Sequence, residues 1–287
     1  RHCPHASPPR NIMSTLFGLA SRGDTAQLRQ LLTGTSSECW AIDTPNDAGR
    51  TPLYIACRVG HTEAARLLLE AGATVDKAKE NGVAALHVAC YFGHADTARA
   101  LCAAGASVNL DSHVGTPLFI ACREGHAEVA RLLLDAAAEV NFRDPVDGAT
   151  PLHMASQMKH TDVALLLLES GAAVDATADN GLTPMRIACE DANLPLVWLL
   201  SAHGAARSAG MKRRARRADR WHAERIAHWE GHSELLSWLV RSRSWCSPLH
   251  HASLLSPSHT RRLLRGGADL HARRRPPVGA PLQGLGA

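Results

Sequence analysis

Apolar residues along this chain come in short bursts with helical spacing, and the bursts come in pairs. Leu53, Ala56 and Cys57 stand at i, i+3 and i+4, a spacing that collects them on one side of a helix. A second apolar run, Ala65-Arg-Leu-Leu-Leu-Glu70, follows after a few polar residues. The punctuation fits this reading. Thr51 can cap the first helix, Pro52 suits its first turn, and Gly60 and Gly72 can adopt the left-handed conformation that stops each helix. The predicted unit is two short helices and a projecting turn. Such a unit cannot bury its apolar side alone, so it has to be stacked on others.

The same pattern recurs. Gly49-Arg-Thr-Pro-Leu-Tyr-Ile-Ala-Cys-Arg-Val-Gly-His61 returns as Gly82-Val-Ala-Ala-Leu-His-Val-Ala-Cys-Tyr-Phe-Gly-His94 and as Gly115-Thr-Pro-Leu-Phe-Ile-Ala-Cys-Arg-Glu-Gly-His126. Variants begin at Gly148 and Gly181. Taking Leu53, Leu86, Leu118, Leu152 and Met185 as anchors, the spacings are 33, 32, 34 and 33 residues. Each unit closes on a turn such as Gly72-Ala-Thr-Val-Asp76 or Gly105-Ala-Ser-Val-Asn109.

Period, Thr-Pro-Leu start, Gly-His break and Gly-Ala-x-Val-Asn/Asp turn together resemble the ankyrin repeat, over about residues 14 to 272. The resemblance implies an all-α ankyrin-repeat solenoid with about six regular repeats and two irregular C-terminal ones. The organisation expected from it is a lead segment 1–13, repeats one to six over 14–206, a basic insertion at 207–220, two irregular repeats over 221–272, and a Pro/Gly-rich tail at 273–287 that opens a truncated repeat. The first repeat takes Leu16 as its anchor, which gives the apolar run near Met13 a structural role rather than that of a signal peptide.

Composition agrees with a helical stack. The chain has 287 residues, is 45% hydrophobic but only 4% aromatic, and draws its apolar content from Ala and Leu, which disfavours a β-sandwich or barrel. No stretch approaches the roughly 18 apolar residues a membrane span needs. Charge is uneven: sixteen Arg/Lys against five Asp/Glu after residue 206, and fifteen against twenty-two before it, giving +11 and -7. Lys212-Arg-Arg-Ala-Arg-Arg217 could act as an import signal or a phosphate-binding patch, but a solvated loop is the favoured reading. Without interleaved aromatics, sequence-specific nucleic-acid readout is not expected. The eight cysteines form no CxxC pair and are read as reduced thiols of an intracellular protein.

Catalytic chemistry finds little support. There is no GxSxG, GxxxxGK[ST], GxGxxG or HExxH; Ser156-Gln-Met-Lys159 satisfies SxxK but falls at a helix end. Cys57, Cys90, Cys122 and Cys189 recur once per repeat, as do His61, His94, His126, His160 and His232, so successive copies lie too far apart to share a metal ion. They are expected to be small core residues and hydrogen-bonding turn histidines. No cofactor, metal, catalytic residue or small-molecule substrate is expected.

What remains is the surface. The resemblance implies a non-enzymatic protein-binding scaffold, with a partner protein on the concave side against hairpin tips and the ends of first helices. By position this gives Arg58/Val59, Tyr91/Phe92, Arg123/Glu124, Gln157/Met158, Glu190/Asp191 and Trp229/Glu230. The tips include Asp47, Arg50, Glu80, His113, Asp144, Asp147, Asp179 and Asn180. Asn109 and Asn141 stand eight residues after Leu101 and Leu133, the spacing at which ankyrin-like turns are asparagine-hydroxylated. The resemblance also leaves open a substrate-targeting or adaptor subunit of a larger enzyme complex, for example a ubiquitin ligase, and a nuclear regulator using the basic insertion. The expected molecule is a monomer without membrane insertion, in the cytoplasm or, if the basic run acts, the nucleus.

Overall fold

The computed structural model describes residues 10–34, 42–206 and 223–242. Among them every regular element is helical. The helices are α1 (Arg10–Arg22), α2 (Thr25–Gly34), α3 (Pro52–Val59), α4 (Thr62–Glu70), α5 (Ala85–Tyr91), α6 (Ala95–Ala103), α7 (Pro117–Glu124), α8 (Ala127–Asp135), α9 (Pro151–Gln157), α10 (Thr161–Glu169), α11 (Pro184–Glu190), α12 (Leu194–Ala202), α13 (Ala223–Trp229) and α14 (Ser233–Arg241). The first helix starts at Arg10, inside the segment 1–13 expected to precede the repeats. None of these helices is long and apolar enough to cross a membrane. The basic run Lys212–Arg217, the eighth repeat around Leu249 and the tail 273–287 lie outside the described residues.

The chain forms two compact units, Arg1–Ala173 and Val174–Ala287. In the first, α1, α3, α5, α7 and α9 pack side by side as one layer, and α2, α4, α6, α8 and α10 as a second. In the second unit α11 packs on both α12 and α13, and α13 on α14. The anchors Leu53, Leu86, Leu118 and Leu152 are buried in the first unit and Met185 in the second, each beside the recurrent small residues Ala56/Cys57, Ala89/Cys90, Ala121/Cys122, Ala155/Ser156 and Ala188/Cys189. Small residues at these positions let neighbouring helices approach closely; larger ones would force the layers apart.

Local chemistry sets the helix ends. Thr51, Thr116 and Thr183 accept hydrogen bonds from the backbone N–H of Tyr54, Phe119 and Arg186, as N-caps do. At α5 and α9 a histidine at the third helical position reaches back instead: His87 Nδ1 accepts from the Ala84 N–H at 3.2 Å and His153 Nδ1 from the Thr150 N–H at 3.1 Å. First helices mostly end on a left-handed glycine, Gly23, Gly60, Gly93, Gly125 or Gly231. Lys159 (φ 63°) and Ala192 (φ 50°) take that conformation in the other two, and Ala137 (φ 62°) does so where other second helices end on glycine. Each carries a Cβ strain of about 1 kcal/mol that glycine would not.

A ladder of acidic and amide side chains ties successive hairpins together. In the first unit Asp43 accepts from the Thr74 N–H, Asp76 from the Ser107 N–H and hydroxyl, Asn109 from the Glu139 N–H and Asn141 from the Ala173 N–H, the last two at 2.8 Å. Asp175 does the same for Ala206 in the second unit. The Asp/Asn turn residue therefore satisfies a backbone donor one repeat further on.

The central anchors carry the most stability, because their cavities have packed repeats on both sides. Leu118→Ala is expected to cost about 2 to 5 kcal/mol. Denaturant unfolding checks this; a loss under about 1 kcal/mol would contradict the register assigned to α7.

Candidate protein-interaction surface

The Gly-His break fixes where first-helix ends stand relative to one another. In the first unit His61 Nε2 hydrogen-bonds the Ser21 carbonyl at 3.1 Å, His94 Nε2 the Arg58 carbonyl at 3.3 Å and His126 Nε2 the Tyr91 carbonyl at 3.1 Å. In the second unit His232 Nε2 reaches the Glu190 carbonyl at 3.1 Å. Each ring thus stitches its own turn to the last carbonyls of the preceding first helix. These turn histidines are hydrogen-bonding parts of the stack, spread one per repeat. No group of three or more His, Cys, Asp or Glu among the described residues is placed to hold a metal ion.

The first-helix ends of the first unit are Ser21/Arg22, Arg58/Val59, Tyr91/Phe92, Arg123/Glu124 and Gln157/Met158, one pair per repeat in a row. Arg58, Val59, Tyr91, Phe92, Gln157 and Met158 are exposed. Arg123 and Glu124 are only half-buried and pair with each other, Arg123 Nε donating to Glu124 Oε1 at 2.9 Å. Tyr91 and Phe92 are 46% and 45% exposed, although their rings meet edge to face at 4.9 Å and Phe92 stacks on His94 at 6.1 Å. Six large apolar side chains are exposed among the described residues; Val59, Tyr91, Phe92 and Met158 are four of them, with Val146 on a hairpin tip and Val240 on α14. The apolar exposure is concentrated rather than scattered.

In the second unit Glu190 and Asp191 are exposed at the end of α11, with Glu190 receiving Arg186 Nε at 2.7 Å. Glu230 is exposed after α13; the Trp229 side chain lies outside the described residues. Of the hairpin tips in the first unit, Asp47, Glu80, His113 and Asp147 are exposed, while Arg50 and Asp144 are half-buried. Asp179 and Asn180 are exposed in the second unit. Burial pushes the Cys57 thiol up to about 12 and raises the Cys90 and Cys122 thiols as well, so the thiolate is suppressed at these three. Cys3, Cys39 and Cys246 lie outside the described residues.

A family model for ankyrin repeats in three copies matches residues 16–112 and 110–178, more than half of the chain. The chain belongs to the ankyrin-repeat family. Among solved structures it is similar to the human ASB11 ankyrin repeat domain, with 27% identity and a TM-score of 0.66 over 80% of this chain and 97% of that one. It is also similar to the ankyrin repeat domain of Bcl-3, described as a unique member of the IkappaB protein family, with 25% identity and a TM-score of 0.68 over 79% and 97%. A search of the curated proteins gives no match. Ankyrin repeats are in general protein-interaction modules without catalytic residues.

One buried ring among these repeats is sensitive to acid. His87 accepts from Ala84 at Nδ1, so its Nε2 carries the proton donated to the Leu110 carbonyl at 2.9 Å. Desolvation holds its pKa below the ordinary 6.5, against the opposing pull of the Leu110 carbonyl, Asp111 and Asp76. The unfolded chain therefore binds the extra proton first. This residue's contribution to stability is complete above about pH 6.5 and declines as pH falls below it toward the lowered folded value. His87→Phe, copying Phe119 at the same repeat position, is expected to flatten that part of the acid limb. Thermal melts of both proteins from pH 7.5 to 5 check this, and identical slopes would contradict it.

Proposed function

We propose that this protein is a non-enzymatic scaffold that binds a partner protein along the row of first-helix ends. The observation that carries the reading is the concentration of exposed apolar groups there, centred on Tyr91 and Phe92. The core of this repeat is supplied by Leu86, Ala89 and Cys90, so burial of two further aromatics is not demanded by the stack. Exposed aromatic side chains with half their surface open cost solubility, and at the centre of a docking surface they are the usual anchors. In an ankyrin stack this row belongs to the concave face, where the family usually meets its partners.

Affinity capture with the whole chain, followed by identification of what is retained, tests the reading. Changing both Tyr91→Ala and Phe92→Ala is expected to weaken a captured partner by about thirtyfold or more, equivalent to about 2 kcal/mol, while leaving the melting temperature almost unchanged. Partners that all bind the double variant unchanged would place the site elsewhere.

The turn residues Asn109 and Asn141 are proposed sites of asparagine hydroxylation. Both side chains are exposed while their Oδ1 atoms accept from the next hairpin. A hydroxyl on Cβ leaves those acceptors in place, so modification would tune stability without creating an active site. Peptide mass spectrometry of protein from its native cell is expected to show an added oxygen on at least one; finding neither would remove the proposal.

A further inference from the structure

The chemistry beside the aromatic pair goes one step further than the proposed function, on which this inference rests. Toward the chain's start the row continues from Tyr91/Phe92 to Arg58/Val59 and then to Arg22, and both arginines are exposed. Adjacency is fixed by the turn histidines: the carbonyls of Ser21, Arg58 and Tyr91 each receive the next repeat's Nε2. Three carboxylates beside this stretch are engaged elsewhere. Asp24 turns onto the start of α2 and accepts from the Gln27 N–H, Glu63 faces Arg66 across one helical turn at 3.4 Å, and Glu124 is held by Arg123. Neither Arg22 nor Arg58 has an ion-pair partner among the described residues.

We infer that the segment of the row from Arg22 to Phe92 docks an extended peptide of a partner protein that carries Asp or Glu beside a bulky apolar side chain. The apolar side chain covers Val59, Tyr91 and Phe92; the carboxylates meet Arg58 and Arg22. Charge complementarity is the argument. The first unit holds an excess of acidic residues over residues 42–173, yet this stretch of helix ends presents arginine, with Asp24, Glu63 and Glu124 already occupied. Carboxylates are chosen over phosphate because the two arginines come singly from successive repeats, whereas phosphate sites gather several donors on one group. Arginine offers a carboxylate two parallel donors, and the adjacent rings exclude water from that contact.

A random-peptide display library selected on the immobilised whole chain is the test. Enriched sequences are expected to place Asp or Glu within a few positions of Leu, Phe or Trp. A synthetic peptide of the enriched sequence is expected to lose at least tenfold in affinity on Arg58→Glu and about thirtyfold on Tyr91→Ala with Phe92→Ala, and to weaken as salt is raised. Circular dichroism melts of each variant check that the fold is intact, and Arg58→Lys, which keeps the charge but loses the forked geometry, is expected to fall between wild type and Arg58→Glu. Enrichment of basic or uncharged apolar peptides that still need Tyr91 and Phe92 would overturn this inference and leave the proposed function standing. Peptides indifferent to the aromatic pair would overturn both. No enrichment over an unrelated protein would overturn the peptide occupant while leaving a folded partner to the affinity capture.

Discussion

The stack depends on a close approach at the Gly-His turns. At Gly23, Gly60, Gly93 and Gly125 the backbone is left-handed, and a Cβ built on any of them would stand 2.4 to 2.7 Å from the imidazole of the next turn. Two constraints meet at one residue. The left-handed conformation disfavours a side chain, and the ring occupies the space where it would go. Because the rings of His61, His94 and His126 also hydrogen-bond a carbonyl at the end of the preceding first helix, the turn sets the separation and register of neighbouring repeats at once. The helix-end row exists because this register repeats.

The remaining interactions follow from that spacing. With first helices held this close, the paired positions of α3, α5, α7, α9 and α11 hold Ala, Cys or Ser, and Asp43, Asp76, Asn109, Asn141 and Asp175 each reach the backbone N–H of the next hairpin. The ladder and the core are therefore two consequences of one stacking distance rather than independent stabilisers. Substitutions that tolerate the distance are accommodated locally. Ala84 stands where other repeats carry a capping threonine, with His87 accepting from its backbone N–H, and Ala137, Lys159 and Ala192 accept the left-handed conformation at a modest cost.

For function, the division between core and surface matters most. Repeat geometry consumes the anchors, the small residues, the turn histidines and the turn Asp/Asn residues, and leaves the last two positions of each first helix free to vary. Those positions differ from repeat to repeat: Arg58/Val59, Tyr91/Phe92, Arg123/Glu124, Gln157/Met158. A surface that is geometrically regular but chemically varied is suited to reading an extended or contoured partner, since each repeat adds one local contact without disturbing the others.

Much of this was legible in the sequence, because a repeat states its own register several times. The period, the caps, the left-handed glycines and the burial of Leu53, Leu86, Leu118 and Leu152 all follow from local chemistry, and so did the exposure of Tyr91 and Phe92. In the seventh repeat α13 and α14 keep the ordinary break at Gly231 and His232, as the Gly-His spacing implies, while its junction with the eighth repeat lies outside the described residues. Other features only the tertiary structure decided. The role of Asp43, Asp76, Asn109 and Asn141 as acceptors for the following hairpin needs residues 30 to 32 positions away. Sequence fixes conformations and faces through short-range chemistry, whereas which polar groups remain free depends on what a neighbouring repeat brings into reach.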